Sequence, residues 1–357
     1  MKRILVSREI SVPSILKVYK GVVGDLNKIL KEYGFDDIVI FYGEGIYELF
    51  GKRIENNLEG IKIIGRFEGK SNRLDDIYDI AFKVPQTSVI MGIGGGKVID
   101  IAKYVGYIRK MPVITFPTAP SNDSICSPLC SLIVEGRRTT VPSRIPFGVV
   151  ADTEILGSAP ESFIYSGIGD MVSKISAIYD LDFEEAHSDI KHDDFARMVS
   201  EKSIDSLLYF KTANIRDEEF LGKLVDSLIM SGIAMELEGD SAPASGSEHL
   251  ISHALDKILP NPHLHGIQVG LATYITVNVQ DNPRKDEVKE LFDETGFWNF
   301  VRKEKFNVNA WLLAIDNAPS IKPNRYTTIH VEEMRKEMKA FIKNDEILKT
   351  IFVDETL

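Results

Sequence analysis

Cysteine is nearly absent from this chain. Two occur in 357 residues, Cys126 and Cys130, and their spacing is not that of a CxxC pair. That excludes a disulfide framework and argues against a zinc ribbon, and it fits reduced thiols in a cytoplasm. Positive charge is also in deficit: 42 Lys and Arg stand against 53 Asp and Glu, a net charge of −11, with no long basic run. A surface of that sign repels nucleic acid and anionic membranes, so neither is expected as a partner. No apolar stretch approaches the length of a bilayer, so no membrane span is expected. The apolar part of MKRILVSREISVPS is too short for a signal peptide, and a cytoplasmic location follows as the expectation. Histidine is scarce too, seven in all, which makes its distribution informative.

What remains has the balance of an ordinary globular protein, 44% apolar and 27% charged. A chain of this length suggests about two domains. In the first part, short apolar runs at 37–43, 60–65, 88–94 and 112–118 read as strands. Helical patterns lie between them, as in GKVIDIAKYVGYIRK, where Val98, Ile101, Ala102 and Val105 form one stripe. Strands alternating with helices argue for a parallel sheet covered on both faces. After about residue 155, β-branched runs give way to long amphipathic segments, roughly 160–182, 194–211, 217–238, 246–259, 264–280 and 331–352. The expected fold is α/β: a Rossmann-like parallel-sheet domain over 1–155, followed by an all-helical domain over 156–357. Ser158, in SAPES, is the expected N-cap of the first long helix.

MGIGGGKVID joins an apolar strand, about the third, to a helix. Glycines there let a backbone approach a phosphate, and the helix N-terminus offers free N–H groups. The text is neither the usual Rossmann fingerprint, since Lys97 stands where the third glycine belongs, nor a Walker A loop, since Val98 follows the lysine. The bland alternative is a tight turn, for which so many glycines are excessive. TFPTAPSNDS, after the next strand, lies where open α/β sheets bind ligands. Asp123 within it is unfavourable beside a phosphate unless it binds something else, such as a hydroxyl.

Four of the seven histidines fall in EHLISHALDKILPNPHLHG: His249, His253, His263 and His265. His249 and His253 share one helix face, Pro260 and Pro262 break that helix, and the second pair returns on the following segment. The spacing points to a metal site that needs a carboxylate from elsewhere. Asp170 is the best candidate, after two glycines in YSGIGDMVSKISAIYD. Its competing reading is an i,i+4 salt bridge to Lys174.

Taken in order, GIGGGKVIDIAK, PTAPSNDSICSPLCS, PFGVVADTEIL, SGIGDMVSKISAI, SGSEHLISHAL and HLHGIQVG resemble the iron- or zinc-dependent alcohol dehydrogenase superfamily. That group includes glycerol dehydrogenase and 3-dehydroquinate synthase, and the nearest likeness within it is to the sn-glycerol-1-phosphate dehydrogenases. The resemblance implies that Asp170, His249 and His265 bind the metal and that His253 contacts substrate or the metal's surroundings. It also implies that Asp123 meets substrate hydroxyls, so Asp123, Asp170 and His253 form the catalytic group. By the same likeness Gly94, Gly95, Gly96, Lys97 and Val98 hold the pyrophosphate, and Thr118, Ala119, Pro120, Ser121 and Ser127 contact the rest of an NAD or NADP. His263 is left without a role. Iron-type relatives often carry a histidine where Lys174 stands, which favours Zn2+ here. The end of the first apolar strand carries Gly43, with Glu44 a weak substitute for a ribose-binding acid, so NADPH is accepted beside NADH or preferred.

The implied activity is NAD(P)H-dependent reduction of a small phosphorylated triose, dihydroxyacetone phosphate, to sn-glycerol 1-phosphate for archaeal-type phospholipid synthesis, by a homo-oligomer. The rivals are a glycerol dehydrogenase, a dehydroquinate-synthase-like lyase and a non-catalytic binding protein. Lys174, Asn122, Ser121, Arg137, Arg138 and Arg144 are all conceivable phosphate donors, and the sequence does not choose among them.

Overall fold

The computed structural model describes residues 10–210 and 212–354. The segment MKRILVSRE, part of the stretch judged too short for a signal peptide, lies outside them. Eight strands and five helices occupy the described residues up to Gly157. The strands are β1 (Ile15–Val18), β2 (Asp37–Tyr42), β3 (Lys62–Glu68), β4 (Val89–Gly94), β5 (Val113–Pro117), β6 (Leu129–Val134), β7 (Arg137–Pro142) and β8 (Gly148–Ala151). The helices are α1 (Leu26–Glu32), α2 (Lys52–Glu55), α3 (Leu74–Lys83), α4 (Gly96–Arg109) and α5 (Thr153–Gly157). Six strands pair in the order β1–β8–β5–β4–β2–β3, and every pair is parallel. β6 and β7 form a separate antiparallel hairpin.

The sheet is buried on both faces, and the alternation of side chains divides β2 between two cores. Ile38 and Ile40 pack with Leu26, Met91 and Ile114 on one side; Val39 and Phe41 pack with Ile90, Ile101 and Val105 on the other. All four strands expected from apolar runs are present. β1 and β8 carried no periodic signal because each is only four residues long. The glycine loop therefore follows the fourth strand of the chain, not the third.

The chain steps from β2 to β3 on one side and from β4 to β5 on the other, so β2 and β4 bracket the switch point of the sheet. In open α/β sheets the crevice at the carboxyl ends of such a pair is where ligands bind. Here that crevice is made of glycine backbone. Gly43 N donates to Ile93 O at 2.9 Å, and a Cβ on Gly94, whose φ is +144°, would lie 2.6 Å from Val98 Cγ1 and 3.3 Å from Gly43 N.

The rest of the described chain is almost all helix: α6 (Glu161–His187), α7 (Asp194–Tyr209), α8 (Glu218–Glu238), α9 (Ser247–Ile258), α10 (His265–Val279), α11 (Lys285–Thr295), α12 (Phe297–Val301), α13 (Val308–Asn317) and α14 (Glu332–Asn344). All six amphipathic segments are helical, though α14 stops before a 3-10 turn at Leu348–Thr350. Ser158 does not cap α6. Its hydroxyl donates to Ile155 O at the end of α5, and Pro160 precedes the first turn instead.

The glycines of α6 and α10 decide how these two helices meet. A Cβ on Gly169 would stand 2.0 Å from Gly266 O, one on Gly266 1.8 Å from Ser166 O, and one on Gly270 2.9 Å from Gly169 Cα. Only side-chain-free positions permit that backbone approach. Gly167 does the same toward the sheet, where a Cβ would meet Pro120 O at 1.9 Å. The helix bearing Asp170 is thus pressed against both the helix bearing His265 and the loop after β5.

Candidate active site

A cavity of about 470 Å³ opens between the carboxyl end of the sheet and the helices. Gly96, Lys97, Ser121, Asp123 and Ser127 line one side of it; His249, His253, His263 and His265 line the other. Gly94, Gly95, Val98, Thr118, Ala119 and Pro120 lie at the adjoining ends of β4 and β5 without lining this cavity. Val98 is a packing residue, its side chain filling the space beside Gly43, Gly69 and Gly94. Thr118 N donates to Gly94 O at 3.0 Å, which ties the two loops together.

Gly95 differs from its neighbours. Its φ of −82° suits any residue, and a Cβ there would meet nothing within 4 Å. A side chain at Gly95 therefore disturbs only what sits over the loop. Gly95→Val is expected to leave thermal stability unchanged while weakening the dinucleotide roughly 10- to 100-fold, an overpacking cost of about 1–3 kcal/mol. Titration of NADH and NADPH by fluorescence measures this, and unchanged affinity would rule out the phosphate-loop reading.

Asp170, His249 and His265 each point a ligating atom at a common place, all within 4.8 Å of one another. His249 Nε2 lies 3.4 Å from Asp170 Oδ1, and the rings of His249 and His265 are 5.1 Å apart. Each imidazole is held from behind. His249 Nδ1 donates to Glu248 Oε1 at 2.8 Å, and His265 Nδ1 pairs with Ser252 Oγ at 3.2 Å. Those partners leave the Nε2 atoms for a ligand, the usual way a neighbouring group sets the tautomer of a metal-binding histidine. Glu248 is itself buried and fixed by Ser176 Oγ at 2.7 Å and Gly246 N at 2.7 Å. Neither Glu248 nor Ser252 was singled out from sequence, although both adjoin the histidines.

Burial opposes the charge on Asp170, but Lys174 and His249 outweigh it and hold the carboxyl well below the usual range. Burial likewise opposes a charged His249, yet Asp170 and Glu248 raise it. His265 is pushed down to about 4, by burial first and then by His249, and His253 well below its ordinary value by burial and the two other imidazoles. Both shifts favour the neutral imidazole, the form with a lone pair to offer a metal.

Asp170 stands both in this three-residue group and beside Lys174. Lys174 is fully buried, its Nζ 3.2 Å from Asp123 Oδ2 and 3.8 Å from Asp170 Oδ1. Asp123 N donates to Asp170 Oδ2 at 2.9 Å, and Ser231 Oγ donates to Asp123 Oδ2 at 2.8 Å. Both of those side-chain bonds fall on Oδ2 of Asp123. His253 stacks on His265 at 5.5 Å, one turn from His249. His263 stands apart at the rim, its ring on Phe306 at 4.2 Å and its Nε2 donating to Lys305 O.

Sequence comparison now adds to this geometry. Residues 17–160 match the family model described as iron-containing alcohol dehydrogenase. Over 85% of its length the chain is 33% identical to a glycerol-1-phosphate dehydrogenase, NAD(P)+-linked, of Thermococcus sibiricus, covering 87% of that protein. It is 32% identical over 89% of its length to the one from Pyrococcus furiosus, covering 93% of it. The chain belongs to the glycerol-1-phosphate dehydrogenase family. Its fold is similar to that of a probable glycerol dehydrogenase from Sinorhizobium meliloti, with a TM-score of 0.74 at 19% identity, covering 95% of this chain and 99% of that one.

Two features of this family member bear on the cofactor. Glu44, the acid nearest the end of β2, is bonded to Lys97, whose Nζ also donates to Lys70 O at 3.1 Å. The second is a buried ion pair under the loop: Lys103 Nζ meets Asp100 Oδ1 at 3.0 Å and donates to Ser127 O and Leu129 O. This pair anchors the segment carrying Ser127 to α4, and apolar periodicity gives no sign of it, since Lys103 sits among hydrophobic positions.

Proposed function

We propose that this chain reduces dihydroxyacetone phosphate to sn-glycerol 1-phosphate with NADH or NADPH, at a site holding one Zn2+. The kinship to glycerol-1-phosphate dehydrogenases at more than 30% identity carries this reading, and the cavity is compatible with it. The glycerol dehydrogenase alternative rests on likeness of fold at 19% identity. The donor set fits zinc: one carboxylate and two imidazoles, each imidazole oriented from behind, with room for a substrate oxygen as a further ligand. Asp170, His249 and His265 would hold it. Lys174, a cation with both neighbouring carboxylates engaged, adds no donor.

When bound, zinc supplies a Lewis acid and the dinucleotide a hydride. The protein's own part is orientation and proton movement. Asp123, pinned through Oδ2 by Ser231 and Lys174, leaves Oδ1 to accept from the substrate's free hydroxyl. Neutral His253, on the cavity wall, relays a solvent proton from one ring nitrogen to the other and on to the C2 oxygen of the product. Gly94 to Lys97 and the loop after β5 position the dinucleotide. Glu44 is paired with Lys97, which lessens its repulsion of a 2′-phosphate and is compatible with use of NADPH. The reading includes two domains meeting near residue 155, a homo-oligomer, a cytoplasmic location and a role in phospholipid synthesis. Both cysteines are buried and unpaired, and among the described residues no helix is long and apolar enough to cross a membrane.

The test is a single assay. Dihydroxyacetone phosphate should drive oxidation of NAD(P)H, and prior treatment with a strong chelator should remove the activity until Zn2+ is restored. Turnover that survives complete removal of metal would refute the zinc reading, and absence of turnover on this substrate would refute the activity.

A further inference from the structure

Lys322 is a cation of the cavity lining that has no role in the site described above. Lys322 is half-buried on the cavity wall it shares with His253 and His265. Its Nζ donates to Ser241 Oγ at 2.9 Å, and among the described residues no carboxylate lies within 4.0 Å of it. Burial, and then the neighbouring Arg325, lowers its affinity for a proton. A partly desolvated ammonium with one neutral partner is poised for an anion. Ser245, buried, belongs to the same cavity lining, and its hydroxyl has no partner among the described residues.

The position of Lys322 is set by the fold, not by a free loop. Its carbonyl is paired with His330 Nε2 at 3.3 Å, and Thr327 braces His330 Nδ1. Ser247, the first residue of α9, then locks that turn: its hydroxyl meets Thr327 Oγ1 at 3.1 Å and accepts from Ile329 N at 2.9 Å. The same helix carries His249 and His253. The lysine and the histidines are therefore held at a constant separation, which a site for two ends of one small molecule requires. Three of the other basic candidates have partners elsewhere, although Arg138 also lines the cavity. Lys174 is paired with two carboxylates, Arg144 lies over Tyr107, and Arg138, exposed, faces Asp256 at 3.6 Å.

We infer that Lys322, with the hydroxyls of Ser241 and Ser245, binds the phosphate of the triose phosphate. This rests on the proposed function, and it identifies the residues that distinguish a phosphorylated from an unphosphorylated substrate. The loop GDSAPASGS, which composition marked only as a turn, thereby supplies two of the three groups.

The experiment compares kcat/KM for dihydroxyacetone phosphate and for dihydroxyacetone in the metal-loaded enzyme and in Lys322→Gln and Lys322→Arg. A parent enzyme that does not prefer the phosphorylated substrate would overturn the proposed function itself. Where it does prefer it, Lys322→Gln should lose about 100-fold on dihydroxyacetone phosphate and less than about threefold on dihydroxyacetone, the scale of a charge-assisted bond. Lys322→Arg should retain most of the preference. An equal loss on both substrates, or an unchanged preference, overturns the phosphate site and leaves the function standing. Should Lys322→Gln not fold, Ser241→Ala serves: a selective loss of about fivefold on the phosphorylated substrate is expected, and no selective loss counts against the site.

Discussion

Asp170→Asn should copurify without its metal and turn over at roughly one-thousandth of the parental rate or less. The substitution is nearly isosteric, and an amide oxygen still accepts from Asp123 N, now 2.9 Å from Asp170 Oδ2. What it removes is the negative charge among three ligating groups gathered within 4.8 Å. Losing the ion forfeits several kcal/mol of transition-state stabilisation, at about 1.36 kcal/mol per decade of rate. His249→Ala and His265→Ala should behave alike. His253→Ala provides the contrast, because His253 stacks on His265 but lies outside the three-ligand group: metal content should stay stoichiometric while kcat falls. Elemental analysis beside the NAD(P)H assay reads both quantities. Full activity with stoichiometric metal in any of the three ligand variants would sink the ligand assignment. Metal loss in His253→Ala would mean that the two roles are exchanged.

Lys174→Met is expected to destabilise the fold by about 3–5 kcal/mol, the cost of removing one partner from a buried charge cluster. The ammonium is completely buried and sits between Asp123 and Asp170, which approach each other closely enough to share a hydrogen bond. Met fills a similar volume but removes the cation between them, leaving Asp123 the Ser231 hydroxyl and Asp170 the Asp123 amide and His249. Asp170 is held low chiefly by Lys174 against the effect of burial, so losing Lys174 also raises its affinity for a proton. Urea unfolding of parent and variant, each with metal and with chelator, separates the two contributions. A change below about 1 kcal/mol in the chelated protein would show that the carboxylates do not depend on Lys174.

Much of this molecule was readable from local pattern. Four apolar runs became β2, β3, β4 and β5, and six amphipathic stretches became helices, five with ends displaced by a few residues and the last, α14, ending at Asn344, well short of 352. The glycine loop and the polar loop after β5 both lie at the carboxyl edge of the sheet, where alternation of strand and helix put them. The proline turn does separate the two histidine pairs: His249 and His253 lie on α9, His265 opens α10, and His263 stays in the turn. The short strands β1 and β8 escaped because four residues are too few for a period, and the hairpin β6–β7 because exposed Arg137, Arg138, Thr139 and Thr140 mask its alternation.

Sequence alone was sufficient for the class of fold and for the family, because these rest on periodicity and on the order of short motifs, and it singled out polar residues that the fold brings together around the cavity. It could not say what touches what. Asp170 meets His265 because Gly169, Gly266 and Gly270 let two helix backbones close to distances that any Cβ would forbid. Glu248 turns His249, Lys174 answers two acids at once, and Lys322 enters the cavity from a turn pinned to α9. Each of these depends on which surfaces come together after folding, and such long-range complementarity leaves no period in the chain.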